Sequence, residues 1–264
     1  MPTTNAYLDH LEREVAAFSQ AAHGDLETPV PSCPGWTVAT LVAHLSGLYG
    51  AWTKVVDERA QEPGEGFFAT LDLPPQVKEW FAARGQSTLE VPPGIVDLYE
   101  RTAGRLVAAL RSARSDEPVY SWFPSNQTVG FYHRRAPLET AIHRWDLQGA
   151  RGRAEPIDGE LACDGIDELL DVMVPGSKVF GVQPRLGSGE TYHFHRTDGP
   201  GEWLVRFEPD GLVVTREHAK GDVAVRGTAS DLFLFLWGRI PADRFEVFGD
   251  RVLLDRYFEL APPM

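Results

Sequence analysis

The sequence is poor in cysteine, short of basic residues, and without any long apolar run. Only Cys33 and Cys163 occur in 264 residues. That excludes a disulfide framework or a zinc-finger spacing and leaves reduced thiols in a cytoplasm as the simple reading. Lys and Arg number 25 against 38 Asp and Glu, a formal net charge of −13. Nucleic acid is therefore set aside as a partner, because a phosphate backbone is held by concentrated positive charge. The longest apolar stretches, such as DLFLFLWG at 231–238, fall far short of the roughly 20 residues that cross a bilayer, so no membrane is expected as a partner either. The opening MPTTNAYLDHLEREVAAF carries acids through an amphipathic pattern and lacks the basic and apolar regions of a secretion signal. A cytoplasmic protein is the expectation.

What is present is an ordinary globular composition, 43% hydrophobic and 24% charged, long enough for one large or two smaller domains. From residue 5 to about 173 the periodic segments are helical, interrupted by Pro/Gly-rich loops at 24–35, 63–75, 91–94 and 118–130. After Pro175 and Gly176 the texture changes to alternating runs, TYHFHRT, EWLVRFE, GLVVTRE and DVAVRGT, separated by DGPG, PDG and KGD turns. A helix ASDLFLFLWGR, a short FEVFGD and a final RVLLDRYFELA close the chain. The expected fold is thus a helical domain over 1–174 and a small α+β domain with an antiparallel sheet over 175–264. No internal repeat or low-complexity tract is evident.

Two helical segments carry polar residues that amphipathicity does not explain. In PGWTVATLVAHLSGLYGAWTKVV, Thr37 suits an N-cap, and Val38, Leu41, Leu45, Leu48, Trp52 and Val55 form a buried stripe that His44 borders. In RAPLETAIHRWDLQGA, Pro137 suits a first helical turn. Glu139, His143 and Asp146 there fall within roughly 60° of one another at about 100° per residue. Apolar residues border this strip on both sides: Leu138, Ala141, Ile142 and Trp145 on one flank, Ala136 and Leu147 on the other. Thr140, Arg144, Gln148 and Arg151 gather elsewhere as the natural solvent face. A buried carboxylate and imidazole need a partner. An intrahelical Glu139 to His143 pair would serve, and so would a metal.

Taken together, the helices sharpen the choice. His44 with Glu139 and His143 gives two imidazoles and a carboxylate, a catalytic zinc set with an open position; ferrous iron would fit the same donors. Asp146 would then orient His143 or an incoming ligand.

The stretches VPSCPGWTVATLVAHLSGLYGAW, RRAPLETAIHRWDLQGA and VRGTASDLFLFLWGR resemble the mycothiol-dependent maleylpyruvate isomerase family over almost the whole chain. The resemblance implies a DinB-like four-helix bundle followed by a small domain reminiscent of sterol carrier proteins. It also implies a divalent metal, usually zinc, on His44, Glu139 and His143, with mycothiol as thiol cosubstrate. A metal-bound thiol is held as the nucleophilic thiolate, which suits isomerisation of a small unsaturated acid or transfer to an electrophile. A hydrolase with metal-bound water, or a non-catalytic binding protein, is the alternative. Arg239 in LWGR is the family-matched carboxylate clamp, with Arg134, Arg135 and Arg144 as weaker, solvent-facing candidates. A small-molecule substrate and a monomer or small homo-oligomer are expected.

Other features take plainer readings. His193 and His195 share a strand face, read as surface or cross-strand packing and left out of the metal set. Trp36, Trp52, Trp122 and Trp145 are read as packing residues, Cys33 as a small buried residue, and the GDLETP and GEGFF glycines as lacking a phosphate-loop context.

Overall fold

The computed structural model describes residues 2–63, 74–82 and 90–263. The expected loop at 63–75 lies almost wholly outside them, as do the GEGFF glycines. The chain forms two compact units that divide between Glu155 and Pro156.

The first unit contains α1 (Thr4–Ala22), α2 (Val38–Glu58), the short α3 (Pro75–Ala82), α4 (Ile95–Ser112) and α5 (Val129–Ala150). Helix α1 packs on α5 and α4, and α2 packs on α4 and α5, which closes a four-helix bundle. Leu11, Phe18, Leu41, Leu45, Tyr99, Leu106, Tyr132 and Leu138 are fully buried between them. Each such side chain contributes about 1.5–3 kcal/mol by leaving water. Thr37 caps α2 as its sequence suggests, its hydroxyl accepting from the Thr40 amide in a reciprocal box.

Helices α2 and α5 are entered through matching loops. Pro29 bridges to Thr37 and Pro118 to Thr128, each closing a Pro-Val-x-Ser…Thr-Val segment. The bridging backbone bonds correspond. Val30 donates to Trp36 as Val119 does to Gln127, and Val38 donates to Thr28 as Val129 does to Glu117. This local repeat is absent from the sequence reading because the segment between Ser and Thr differs in length.

Helix α5 departs from expectation in two ways. It begins at Val129, so Pro137 lies inside it and not in its first turn. The expected solvent face is also buried: Thr140 is 0%, Arg144 3% and Gln148 7% exposed. Polar pairing permits this burial. The Thr140 hydroxyl lies 2.5 Å from that of Tyr49, and Arg144 donates to Glu14 of α1 at 2.7 Å and to the Glu155 carbonyl at 2.6 Å.

The second unit opens with α6 (Gly159–Glu168), capped by Asp158, and runs on through a π turn at Leu169–Met173 and α7 (Val174–Gly176). The change of sequence texture near 174 therefore falls inside a continuous helical run. Helix α6 packs on α8 (Ala229–Leu236), which is why it groups with the sheet. Strands β1 (Glu190–Arg196), β2 (Glu202–Glu208), β3 (Gly211–Thr215), β4 (Val223–Gly227) and β5 (Glu246–Gly249) form one sheet in the order β3-β2-β1-β4-β5.

The sheet is mixed, not antiparallel: β1 and β4 are parallel, and the other pairs antiparallel. Alternation of apolar and polar residues reports a half-exposed strand and not its direction, so the pattern could not reveal this. Because β3 and β4 run the same way, the link at 216–222 must cross a face of the sheet. The opposite face is apolar: Tyr192, Phe194, Trp203, Val205 and Phe207 are buried, and Tyr257 of α9 (Arg251–Leu260) lies against Tyr192, Phe194 and Phe207 at 5.3–5.8 Å between ring centroids. Among the described residues no helix is long and apolar enough to cross a membrane.

Candidate functional site

Two helices of the bundle build the site. His44 comes from α2, while Glu139, His143 and Asp146 occupy successive turns of α5. His44 Nε2 lies 3.1 Å and His143 Nε2 3.3 Å from the same Glu139 oxygen, Oε1. The two imidazoles meet edge to face with centroids 5.0 Å apart. On the far side of His143, Nδ1 lies 2.9 Å from Oδ2 of Asp146, which has no solvent exposure. Glu139 also accepts from the Arg135 guanidinium through its other oxygen, one helical turn back.

Proton bookkeeping defines what this arrangement lacks. A carboxylate only accepts, so His143 Nδ1 carries the proton and its neutral ring leaves a lone pair at Nε2. That lone pair faces a carboxylate oxygen. Either a second proton or a cation between the atoms removes the repulsion. Burial disfavours the imidazolium, but Asp146 and Cys33 outweigh it and raise the His143 pKa above its ordinary value.

The donor set also fits a metal. Bonds of about 2.0–2.1 Å in a tetrahedral site place donors about 3.3 Å apart, close to the two separations observed, and all three donor atoms lie within 4.8 Å of one another. The Asp146 contact holds His143 in the tautomer that ligation requires.

The loop entering α2 lines the same place. Trp36 stacks near His143 with centroids 6.2 Å apart and meets the His44 ring edge-on at 5.1 Å. The Cys33 thiol donates to Asp146 Oδ2 at 3.3 Å. Both were expected only as packing residues, yet they sit against the site because Gly35, at φ +80°, lets the chain turn tightly between Cys33 and Thr37. Arg135, expected to face solvent, is 3% exposed. Its i, i+4 spacing to Glu139 was the available signal. Trp145, expected on the apolar flank, is half-buried.

Arg239 belongs to the other unit, just beyond α8. It is half-buried, its guanidinium donating to the Trp237 carbonyl at 2.8 Å and lying over that ring. His193 and His195 do more than pack across strands: they converge with Glu202 and His218.

Comparison with known proteins agrees with this architecture. The family model described as the mycothiol maleylpyruvate isomerase N-terminal domain matches residues 8–148, and the MDMPI C-terminal domain matches 160–256. Crystal structures of a mycothiol-dependent maleylpyruvate isomerase and of its histidine-to-alanine mutant are similar in fold. Each superposes with a TM-score of 0.60 at 19% identity, covering 93% of both chains. No curated protein sequence matches.

Proposed function

The chain belongs to the mycothiol maleylpyruvate isomerase family, and on that premise we propose that it is a metal-dependent enzyme acting with a low-molecular-weight thiol, mycothiol in this reading, on a small electrophilic or unsaturated carboxylic acid. His44, Glu139 and His143 would hold a divalent ion of the zinc class. Such an ion lowers the pKa of a coordinated thiol, so that the thiol is held as thiolate at neutral pH. The supporting observation is the approach of two imidazole Nε2 atoms to one carboxylate oxygen, at 3.1 and 3.3 Å, with the second nitrogen of His143 already committed to Asp146.

The chain's own residues would divide the remaining work. Asp146 fixes the His143 ring. Arg135, itself buried, pairs with the half-buried Glu139 carboxylate and offsets its charge. Trp36 covers the histidine pair and excludes water from that side. Arg239 would clamp the substrate carboxylate through a bidentate guanidinium contact. In an isomerisation the thiolate adds to the substrate double bond, rotation follows about the resulting single bond, and elimination returns the thiolate with the double bond in its new geometry. In a transfer the thioether remains.

Ionisation of the thiol would make a bounded contribution. A thiol of pKa about 8.5 is already about 3% thiolate at pH 7, so complete ionisation contributes about 30-fold. Any larger acceleration would come from positioning thiol and substrate.

The test is to incubate the purified protein with an unsaturated acid, with and without mycothiol. Consumption only in the presence of thiol supports this reading. Turnover with water alone would establish a hydrolase instead, and no turnover with any electrophile would leave a binding protein.

A further inference from the structure

We propose a second metal site, made by residues other than those of the bundle site, namely His193, His195, Glu202 and His218 in the sheet unit, and suited to a divalent transition ion of the zinc class.

Strand geometry assembles it. His193 and His195 are two apart on β1 and therefore share a face, the one opposite the apolar core. Glu202 is the β2 residue in register with His195. The fourth member arrives with the 216–222 crossover, which carries His218 over that face. Donors from three separate stretches of chain thus meet at one point, each offering an atom within 4.8 Å of every other.

The contacts are close. Glu202 lies 2.5 Å from His193 Nε2, 2.6 Å from His195 Nδ1 and 3.2 Å from His218 Nδ1. Ring centroids are 5.2, 6.1 and 6.2 Å apart. Three imidazoles gathered on one carboxylate offer more lone pairs than the cluster itself can satisfy. One divalent ion among them satisfies all four at once.

Ligand chemistry sets the class. Imidazoles favour zinc, cobalt, nickel or copper, whereas calcium and magnesium take oxygen cages. The site is also graded in exposure, with His193 5% exposed at its base and the His218 side chain 77% exposed at its rim. It opens on a cavity of about 530 Å³ bordered by Lys220 and Arg226.

The test measures zinc in the full-length chain by elemental analysis after equilibration with zinc and dialysis, in two backgrounds: the natural sequence and His143→Ala. The double substitution His195→Ala/His218→Ala is expected to remove one equivalent of zinc in either background, with circular dichroism unchanged. The two backgrounds keep a failure here distinct from a failure of the bundle site. Cobalt added to His143→Ala is expected to give visible d–d bands that the double substitution abolishes. Should that variant misfold, His218→Ala alone changes only an exposed loop side chain. It is expected to weaken zinc binding at this site by at least about 10-fold, the lower bound seen when even a partner of a ligand is removed. Zinc content and affinity indifferent to these substitutions would overturn the proposal and leave a hydrogen-bonded cluster.

Discussion

The two histidine–carboxylate clusters solve one chemical problem from opposite directions. In the bundle, His44 and His143 stand 99 positions apart in sequence and meet only because α2 packs on α5. On the sheet, His193, His195 and Glu202 come from adjacent strands and are set by register. The bundle cluster has a buried polar floor, Arg135 and Asp146, and an aromatic cover in Trp36. The sheet cluster has one buried histidine and a rim open to solvent. The difference teaches where precision comes from. A site built by tertiary packing is ordered by whatever holds the helices, and a site built by register is ordered by the strands themselves.

That contrast can be broken most strongly at a distance. Glu14→Ala removes the carboxylate that balances the buried Arg144 charge between α1 and α5. Stability of the helical unit by urea denaturation should fall by about 3–5 kcal/mol, while zinc retention at the sheet cluster stays unchanged. Within the bundle site, His143→Ala should abolish metal binding there and lower thiol-dependent turnover by well over the roughly 30-fold that ionisation explains. A smaller loss would mean that the thiol is not activated at this place.

Asp146→Asn keeps the shape but removes the charge that orients His143. Metal affinity measured against a competing chelator should weaken by about 10- to 100-fold. Arg239→Lys should reduce kcat/KM by about tenfold with metal content intact, since one charge-assisted hydrogen bond is lost. Unchanged kinetics would return Arg239 to a structural role.

The smallest effect lies at a histidine of neither cluster. His133 donates from Nε2 to the Leu110 carbonyl at 2.9 Å and faces the Ser115 hydroxyl at 3.1 Å. With no carboxylate in that pair of contacts, burial lowers its pKa despite the carbonyl contact. A depressed folded pKa means that the unfolded chain takes up the proton first. Its stabilising contribution is therefore present above pH 6.5 and is lost as pH falls below it. The loss cannot exceed about 1.4 kcal/mol per pH unit for one proton. Stability of the natural chain and of His133→Gln, compared between pH 7 and 5.5, should show the steeper slope in the natural chain.

Much of this architecture was legible in the sequence because it is written in local pattern. Thr37 announced its cap, the apolar stripe of α2 was evident, and Glu139, His143 and Asp146 stood out as a strip that amphipathicity left unexplained. What stayed hidden depends on neighbours. Arg144 and Thr140 looked solvated because nothing in their own helix reveals Glu14 or Tyr49. The parallel pairing of β1 with β4 leaves no trace in alternation. His218 sits in an unremarkable loop, and only the crossover over the sheet brings it to His193. The helical run through α6 and α7 likewise shows that a change of secondary-structure texture need not be a change of packing unit.

The paired entry loops carry a last implication. Each is latched by its own Pro–Thr bridge before the helix begins, so helix rotation is fixed independently of the tip. The tips differ, four residues at 33–36 against six at 122–127, yet the latches are the same. The segment holding Cys33 and Trp36 is thus an exchangeable cassette. Substitutions at Cys33 and Trp36 therefore change what faces His44 and His143 without touching the bridge that sets where α2 begins.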